Sequence, residues 1–183
     1  MKKQNLYFLS IVLPEELCRE VILVEEYIAA TYDSHRSLKI VPHITLKAPF
    51  TIPTELHEEV MQWFAQLYIA TPRFSVALKD FGCFPYSHPV IYINPVPNPM
   101  LAKLQSEVLN QFLKAFPEVK IMPHEVSFKP HVTVAYRDLS QEQFQLAWQE
   151  FSSRRFSAVF EVLEFQLLQH NGSKWNTIGI HPL

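Results

Sequence analysis

Hydrophobic residues recur along this chain with two spacings. In some segments every second residue is apolar, the pattern of a strand with one buried face. In others the apolar residues lie three or four positions apart, the pattern of a helix with one buried stripe. The first spacing predicts strands at residues 6–13, 42–47, 73–84, 90–96, 130–136, 156–169 and 175–181. The second predicts helices at 14–31, 54–72 and 140–151, and one that begins at Asn98 and includes Phe112.

Capping and turn residues support these boundaries. Thr54, Asn98 and Ser140 are suited to cap the N-termini of the second, third and fourth helices. Pro49 is expected to close the second strand, because proline cannot donate to a strand ladder. Polar or proline-rich segments predict connections at 32–39, 85–89, 117–123 and 171–172.

One five-residue pattern occurs twice. Residues 42–46 and residues 130–134 both read proline, histidine, aliphatic, threonine, aliphatic. Because side chains alternate between the two faces of a strand, the aliphatic residues of each copy face a core. The histidine and threonine of each copy then project together from the opposite face: His43 with Thr45, and His131 with Thr133.

The order of predicted elements also repeats. Each half reads strand, helix, His-x-Thr strand, helix, strand, and the triplet at 73–75 is echoed at 155–157. This repetition predicts an α+β fold in which residues 1–183 form a single bilobal domain with an internal repeat of roughly 1–88 and 89–183. The two His-x-Thr strands are expected to meet at a central cleft, flanked by antiparallel sheets.

Composition and charge narrow the class of protein. With 183 residues, 48% hydrophobic and 19% charged, the chain is long enough for one well-buried domain. A formal net charge of −2 argues against a protein that coats long duplex nucleic acid. A small nucleotide or a single RNA terminus remains open as the partner, and the sequence does not indicate an oligomeric state.

Targeting signals are weak. The apolar run that ends at Leu13 is followed by Pro14 and two glutamates, where a signal peptide would have small residues. No run approaches the length of a transmembrane helix, so no membrane partner is expected. Cys18 and Cys83 fit neither a disulfide framework nor a paired-cysteine metal site, which favours a reducing cytoplasm.

Two histidines that face each other can act as a general base and a general acid. Because the unperturbed pKa of an imidazole is near 6.5, at neutral pH one ring can be neutral while the other carries a proton. The threonine hydroxyls can donate hydrogen bonds to the oxygens of a phosphate held between the rings. These groups suit the hydrolysis of a phosphodiester without a metal. A 2′,3′-cyclic phosphate is a favourable substrate because its ring is strained and the attack is compact.

The paired motif and the duplicated layout resemble the 2H phosphoesterase superfamily, which includes 2′-5′ RNA ligase-like proteins and cyclic nucleotide phosphodiesterases. The resemblance covers essentially the whole chain and depends on His43, Thr45, His131 and Thr133. It implies a bilobal α+β fold, an active site in the cleft, no metal or other cofactor, and substrates with 2′,5′ or 2′,3′-cyclic phosphate linkages.

The chain departs from the RNA-ligase branch at two places. That branch often has an arginine five residues after the second histidine, where this chain has Tyr136, followed by Arg137. After the first motif it tends toward Phe-Leu-Gly, where this chain continues from Lys47 to Phe50. The sequence also has no nucleotide-activating glycine loop, so ligase activity could only be the reverse of a transesterification.

Other residues are candidates for substrate contacts. Lys47 and Arg137 have the same strand parity as the motif histidines, and the alternative for each is a solvated charge. Phe84, Tyr136 and Tyr86 could stack on a base, and the alternative is packing. The remaining histidines are expected to be structural or exposed.

Two further interpretations remain open. A metal site would need carboxylate or cysteine partners for the two histidines, but the residue repeated beside them is threonine. A non-catalytic module that binds a phosphate or an RNA end would use the same donors as an enzyme.

Overall fold

The computed structural model of the chain describes residues 3–183, in which eight strands and five helices form. Two short 3₁₀ turns lie at Ser37–Lys39 and Thr54–Leu56. The elements are β1 (Gln4–Val12), α1 (Glu15–Tyr32), β2 (His43–Pro53), α2 (His57–Ala65), β3 (Phe74–Phe84), β4 (Val90–Pro95), α3 (Pro99–Ala115), α4 (Pro123–Val126), β5 (Val132–Ala135), α5 (Gln141–Phe151), β6 (Ser157–Val162), β7 (Glu164–His170) and β8 (Trp175–Pro182).

The strands form one sheet in the order β6-β3-β4-β5-β2-β1-β7-β8, and every neighbouring pair is antiparallel. In its middle, β5 and β2 meet through the single residue pair Ile44 and Val132. This narrow junction separates a first lobe of β2, β1, β7 and β8 from a second lobe of β6, β3, β4 and β5. This architecture confirms the predicted α+β fold with two antiparallel lobes.

Each lobe contains strands from both sequence halves. β3 lies in the first half of the chain but pairs with β4 and β6, whereas β7 and β8 return to the first lobe, where β7 pairs with β1. The single strand predicted at 156–169 is wrong, because β6 and β7 lie on opposite sides of the sheet. The cause is a slip in the alternation: Phe160 and Val162 are buried, exposed Leu163 comes next, and burial resumes at Phe165.

The echoed triplets are not related by the arrangement of the lobes. β3 and β6 are antiparallel neighbours in one lobe, with Phe74 opposite Val162 and Lys79 opposite Ser157. The two triplets therefore lie at opposite ends of one strand pair. We propose that 1–88 and 89–183 are still a duplicated unit within a single domain, because α1 packs against β5 and α3 against β2, in matching positions about the junction.

The predicted caps of two helices are confirmed. The Asn98 side chain accepts from two backbone N–H groups at the start of α3, and the Ser140 hydroxyl accepts from the N–H of Gln143. Thr54 is not a helix cap: its hydroxyl donates to Asn5 instead, and a 3₁₀ turn precedes α2. α2 ends at Ala65, before the expected end near residue 72.

β2 continues past Pro49 as far as Pro53. Its register against β1 shifts twice, between Tyr7 and Leu9 and between Leu9 and Ser10. Such bulges interrupt the ladder and can accommodate a proline, which explains why Pro49 does not close the strand. No helix in residues 3–183 is both long and apolar enough to cross a membrane.

Candidate functional site

The register at the β2–β5 junction places the polar side chains of both motifs on one face. Ile44 and Val132 pair with each other and are fully buried, so the half-buried residues on either side of them point the opposite way. The antiparallel register then sets each motif's histidine across from the other motif's threonine: His43 across from Thr133, and His131 across from Thr45.

The two histidines are diagonal neighbours in this arrangement. Diagonal neighbours on one face of an antiparallel pair lie about 7–8 Å apart, which leaves room for a phosphate group between the rings. The two threonines occupy the other diagonal. Four side chains from two strands therefore surround one position, with an imidazole and a hydroxyl contributed by each strand.

The two imidazoles are held by the same backbone contact. Nδ1 of His43 lies 2.7 Å from the carbonyl oxygen of Val41, and Nδ1 of His131 lies 2.8 Å from that of Lys129. A carbonyl can only accept a hydrogen bond, so Nδ1 carries the proton in both rings. In the neutral ring, Nε2 is then the nitrogen with a free lone pair. Both histidines therefore have the tautomer that can take a proton at Nε2.

An aromatic ring packs against the first imidazole. The rings of Phe8 and His43 have centroids 5.1 Å apart, and Phe8 is in turn in edge contact with Trp175 at 4.5 Å. Phe8 lies on β1 and Trp175 on β8, so strands from both ends of the chain support His43.

Two rings pack against the second imidazole. Phe84 and Tyr92 lie 5.2 and 5.4 Å from the His131 ring, centroid to centroid, and 4.6 Å from each other. Tyr92 pairs with Gly82 across β3 and β4, and a Cβ at Gly82 would lie 2.6 Å from the Tyr92 ring. The glycine therefore allows the tyrosine to lie across the strand beneath His131.

A cleft of about 480 Å³ opens beside these side chains. Its wall includes His43, Thr45 and Thr133, and His131 lines an adjoining pocket of about 160 Å³ whose wall also includes Thr45. The two cavities therefore meet at Thr45. The volume of the larger cleft, about 480 Å³, lies within the range of small-molecule sites.

Burial governs the charge of both histidines. Burial is the main reason that the pKa of His43 is lowered to about 4, and the nearby His131 contributes to this lowering. Burial also lowers the pKa of His131 below its ordinary value of 6.5. Both rings are therefore neutral at pH 7 in the free protein. Burial of the paired rings disfavours their charged forms, so a proton on one ring at neutral pH would need a further favourable charge nearby.

A carboxyl group also lines the cleft. Glu25 of α1 is 1% exposed, and burial together with the neighbouring Glu26 carboxylate raises its pKa to about 8. Its side chain is consequently protonated for the most part at pH 7, so it adds little negative charge opposite a bound phosphate.

Lys47 does not reach the cleft. Its side chain is 1% exposed, and its Nζ lies 2.8 Å from Oε1 of Glu125. The prediction from strand parity is wrong because β2 bulges just after Thr45: Thr45 pairs with Ser10, while Lys47 pairs with the adjacent Leu9. One extra residue in a strand reverses the faces of the residues after it.

The other candidates occupy different places. Tyr136 and Arg137 line the main cleft, although β5 ends at Ala135. Arg137 lies beyond the strand with a φ of 61°, so strand parity is not the reason for its position. Phe84 contacts the His131 ring and is not part of the wall of either cavity. Tyr86 is exposed beside Phe84.

Sequence reasoning missed several residues around the motifs. Phe8, Tyr92 and Trp175 were interpreted only as strand residues, and Arg36, which lines the cleft, only as part of a loop. The apolar alternation identifies the faces of a strand but not its neighbours in the sheet. In residues 3–183 no three His, Cys, Asp or Glu side chains cluster as a metal site would require.

Comparisons with known proteins identify relatives of this chain. A family model described as the 2′-5′ RNA ligase superfamily matches residues 13–174. A Geobacillus kaustophilus protein named "Putative phosphoesterase" is 28% identical over 132 residues, which are 72% of this chain and 76% of that protein. A Bacillus cytotoxicus protein with the same description is 33% identical over 106 residues, covering 58% and 57% of the two chains.

Solved structures share the fold. Escherichia coli LigT in complex with 3′-AMP aligns with a TM-score of 0.71 at 19% identity, over 99% of each chain. Structures of LigT with NADP⁺ and with ATP each align with a TM-score of 0.62 at 21% identity, over at least 96% of each chain.

Proposed function

Because the chain belongs to the 2′-5′ RNA ligase superfamily of 2H phosphoesterases, we propose that it hydrolyses 2′,3′-cyclic phosphates or 2′,5′-linked nucleotide or RNA ends without a metal. His43 and His131 are the proposed general base and general acid, and Thr45 and Thr133 the proposed phosphate ligands. The observation that carries the proposal is the diagonal arrangement of these four side chains across one strand junction.

The reaction depends on the position of the two Nε2 atoms. A phosphate between the diagonal histidines presents its phosphorus to a water molecule on one side and its leaving oxygen to the other ring. The base takes a proton from the water as its oxygen bonds to phosphorus. The acid donates a proton from Nε2 to the alkoxide as the P–O bond breaks. Donation from the two threonine hydroxyls stabilises the charge that builds on the non-bridging oxygens.

The electrostatics favour one assignment of roles. Burial lowers the pKa of His43 to about 4, and a charge on His131 disfavours a second charge on His43. His43 is therefore the base in this proposal, and His131 the acid. The negative charge of a bound phosphate raises the pKa of a nearby imidazole, so substrate binding favours the protonated acid.

Small nucleotides are the substrates that the cleft supports best. Its volume of about 480 Å³ suits a nucleotide, and its wall carries Phe8, Trp175 and Tyr136 as surfaces for a base. LigT, whose fold this chain shares, binds 3′-AMP, ATP and NADP⁺ in its solved structures. Arg36 and Arg137 also line this cleft, and their positive charge can bind an additional phosphate.

The test is turnover of purified protein on 2′,3′-cyclic nucleotides, RNA with a cyclic phosphate end and 2′,5′-linked dinucleotides, in the presence of a strong chelator. Activity is expected with at least one class, and is expected to fall in His43→Ala and His131→Ala. His88→Ala is the control, because His88 is an exposed histidine in the β3–β4 connection. Binding of these substrates without turnover would identify a binding module instead, and activity abolished by the chelator would indicate a metal.

A further inference from the structure

A buried ion pair joins the strand of the first motif to the segment before the second motif. Lys47 lies two residues after Thr45 in β2, and its Nζ is 2.8 Å from Oε1 of Glu125 in α4. The two side chains are 1% and 3% exposed. The ammonium group also lies 5.2 and 4.8 Å from the ring centroids of Phe50 and Phe112. The pair is therefore enclosed on several sides and shielded from water.

Glu125 uses both carboxylate oxygens and its backbone. Oε1 also accepts from the N–H of Ala48 at 3.0 Å, and Oε2 accepts from the N–H of Met122 at 2.8 Å. The backbone oxygen of Glu125 accepts from the side-chain amide of buried Gln105 at 3.0 Å. One residue thus connects β2, α3 and α4. A carboxylate with this many partners has few alternative positions.

The second motif comes shortly after this connection in the chain. Four residues after Glu125, the carbonyl of Lys129 accepts the hydrogen bond that orients the His131 ring. Residues 127–131, which connect α4 to β5, form neither a helix nor a strand. Glu125, Lys129 and His131 line the same pocket of about 160 Å³. The position of the Lys129 carbonyl therefore depends on where α4 is held.

The first motif is held by a different contact. The carbonyl of Pro42, directly before His43, accepts from the backbone N–H of Leu13 at 3.1 Å, at the turn between β1 and α1. The backbone just before His43 is therefore held by a neighbouring main-chain segment. The ion pair therefore supports the segment before His131, whereas the segment before His43 has this separate support.

We propose that Lys47 and Glu125 are positioning residues for His131. They fix α4 against β2, and in this way they hold the Lys129 carbonyl where it keeps the His131 ring aimed across the junction at Thr45. The kinetic part of this inference rests on the proposed function, whereas the orientation of the ring does not. Neither residue contacts the substrate in this proposal.

The test uses Lys47→Met and Glu125→Asp. Lys47→Met leaves the carboxylate without its cation, and Glu125→Asp keeps the charge but shortens the side chain by one methylene. A misplacement of about 1 Å can cost roughly 10²-fold in rate. In assays at a temperature well below the Tm of each variant, we expect kcat to fall about 10–10²-fold, with a smaller change in KM. ¹⁵N NMR should detect a change in the His131 ring nitrogens, with those of His43 unaffected.

Two further variants separate positioning from stability. Phe64→Leu removes buried volume between α2 and β8, away from the cleft, and should lower Tm without changing the His131 signals or kcat. Lys47→Met combined with Glu125→Gln removes both charges, and is expected to recover stability relative to Lys47→Met alone. If Lys47→Met does not fold, Glu125→Asp carries the test.

The results have distinct meanings. A lowered Tm with unchanged kcat and unchanged His131 signals in Glu125→Asp would show that the ion pair only stabilises the fold, and would overturn the inference. If no substrate is turned over, the proposed function fails, but the NMR comparison between His131 and His43 still decides whether the ion pair orients the ring.

Discussion

The two His-x-Thr segments hold their imidazole rings by equivalent contacts, but the structure that follows the threonine differs between them. In both, Nδ1 donates to the carbonyl two residues earlier, and aromatic rings pack against the imidazole. After Thr45, β2 bulges and continues to Pro53 with a buried lysine. After Thr133, β5 ends within two residues and the chain turns through Arg137.

The contacts that the two segments share are those that the proposed phosphate site requires. The differences lie in the strands that support each segment. In the proposed site a shared phosphate requires the same groups on both sides, and each segment has an imidazole held by the carbonyl two residues earlier. The supporting elements differ in length: β2 and β5 are both central in the sheet, but β2 has 11 residues and β5 has 4. Similar chemistry is therefore held by dissimilar structure, and substitutions can test each part separately.

The largest expected effect comes from removing the imidazoles. His43→Ala and His131→Ala should each lower kcat roughly 10²–10⁴-fold, the usual contribution of a positioned acid or base. Because the two rings are proposed to act in one step, the double variant should be little worse than the worse single. The measurement is kcat for all three variants on one substrate. Losses that multiply in the double variant would mean that the rings act independently.

Removing a threonine hydroxyl should have the next largest effect. Thr45→Val and Thr133→Val are expected to lower kcat by up to ~10²–10³-fold, the cost of losing one oxyanion donor. Thr51→Val, at an exposed position of β2, is the control. Because each threonine lies across from the other motif's histidine, double-mutant cycles should give stronger coupling for Thr45 with His131 than with His43. Equal coupling would contradict that register.

The pH dependence should reflect the unequal histidines. In the proposed mechanism His43 must be neutral, so activity is expected to fall as the pH drops toward about 4. His131 must be protonated, so activity is also expected to fall as the pH rises through the lowered pKa of that ring. We therefore expect kcat/KM to peak between about 4 and 6.5. For kcat both limbs should move to higher pH, since bound phosphate raises both pKa values. A kcat/KM optimum above pH 7 would contradict the role of burial.

In the wild-type protein these two limbs are properties of the interacting pair. His43→Ala should remove the acidic limb from its residual activity, whereas Thr133→Val should retain both limbs at lower turnover. A change in the shape of the profile in Thr133→Val would indicate that the hydroxyl takes part in proton transfer.

The smallest expected effect concerns the aromatic support of His131. Gly82→Ala would place a Cβ 2.6 Å from Tyr92 and displace that ring from beneath the imidazole. We expect kcat to fall by about 10-fold or less, short of the ~10² that a full 1 Å misplacement can cost. Gly179→Ala in β8 is the matched control, because its Cβ would lie 2.8 Å from the ring of Phe64 in α2, away from the cleft. Equal losses of activity in both variants would argue against a specific role of Tyr92.

Local patterns in the sequence predict much of this molecule. Alternation within residues 42–46 and 130–134 is sufficient to place both histidines opposite a buried face, and the side chains of Asn98 and Ser140 are sufficient to start two helices. These features depend on residues close together in the chain. The repeat also predicts that the two His-x-Thr strands meet, and Ile44 of the first pairs with Val132 of the second.

Other features depend on pairing between distant segments. The slip at Leu163 is visible in the sequence, but the return of β7 to β1 is not, because nothing local specifies a partner more than 150 residues away. The burial of Lys47 depends on a bulge in β2 and on its ion pair with Glu125. Glu125 lies 77 residues after Ala48, which is the residue next to Lys47. Sequence parity fails where the ladder is irregular.

The exchange of strands between the lobes has a consequence for synthesis of the protein on the ribosome. β1 is made before the other seven strands, and its edge opposite β2 remains unpaired until β7 has been made more than 150 residues later. Contacts between such distant segments slow folding, and an open strand edge can pair with another molecule in the meantime. The first lobe therefore cannot be completed before β7 has been made, and until then the nascent chain has an unpaired edge of β1 through which it can aggregate.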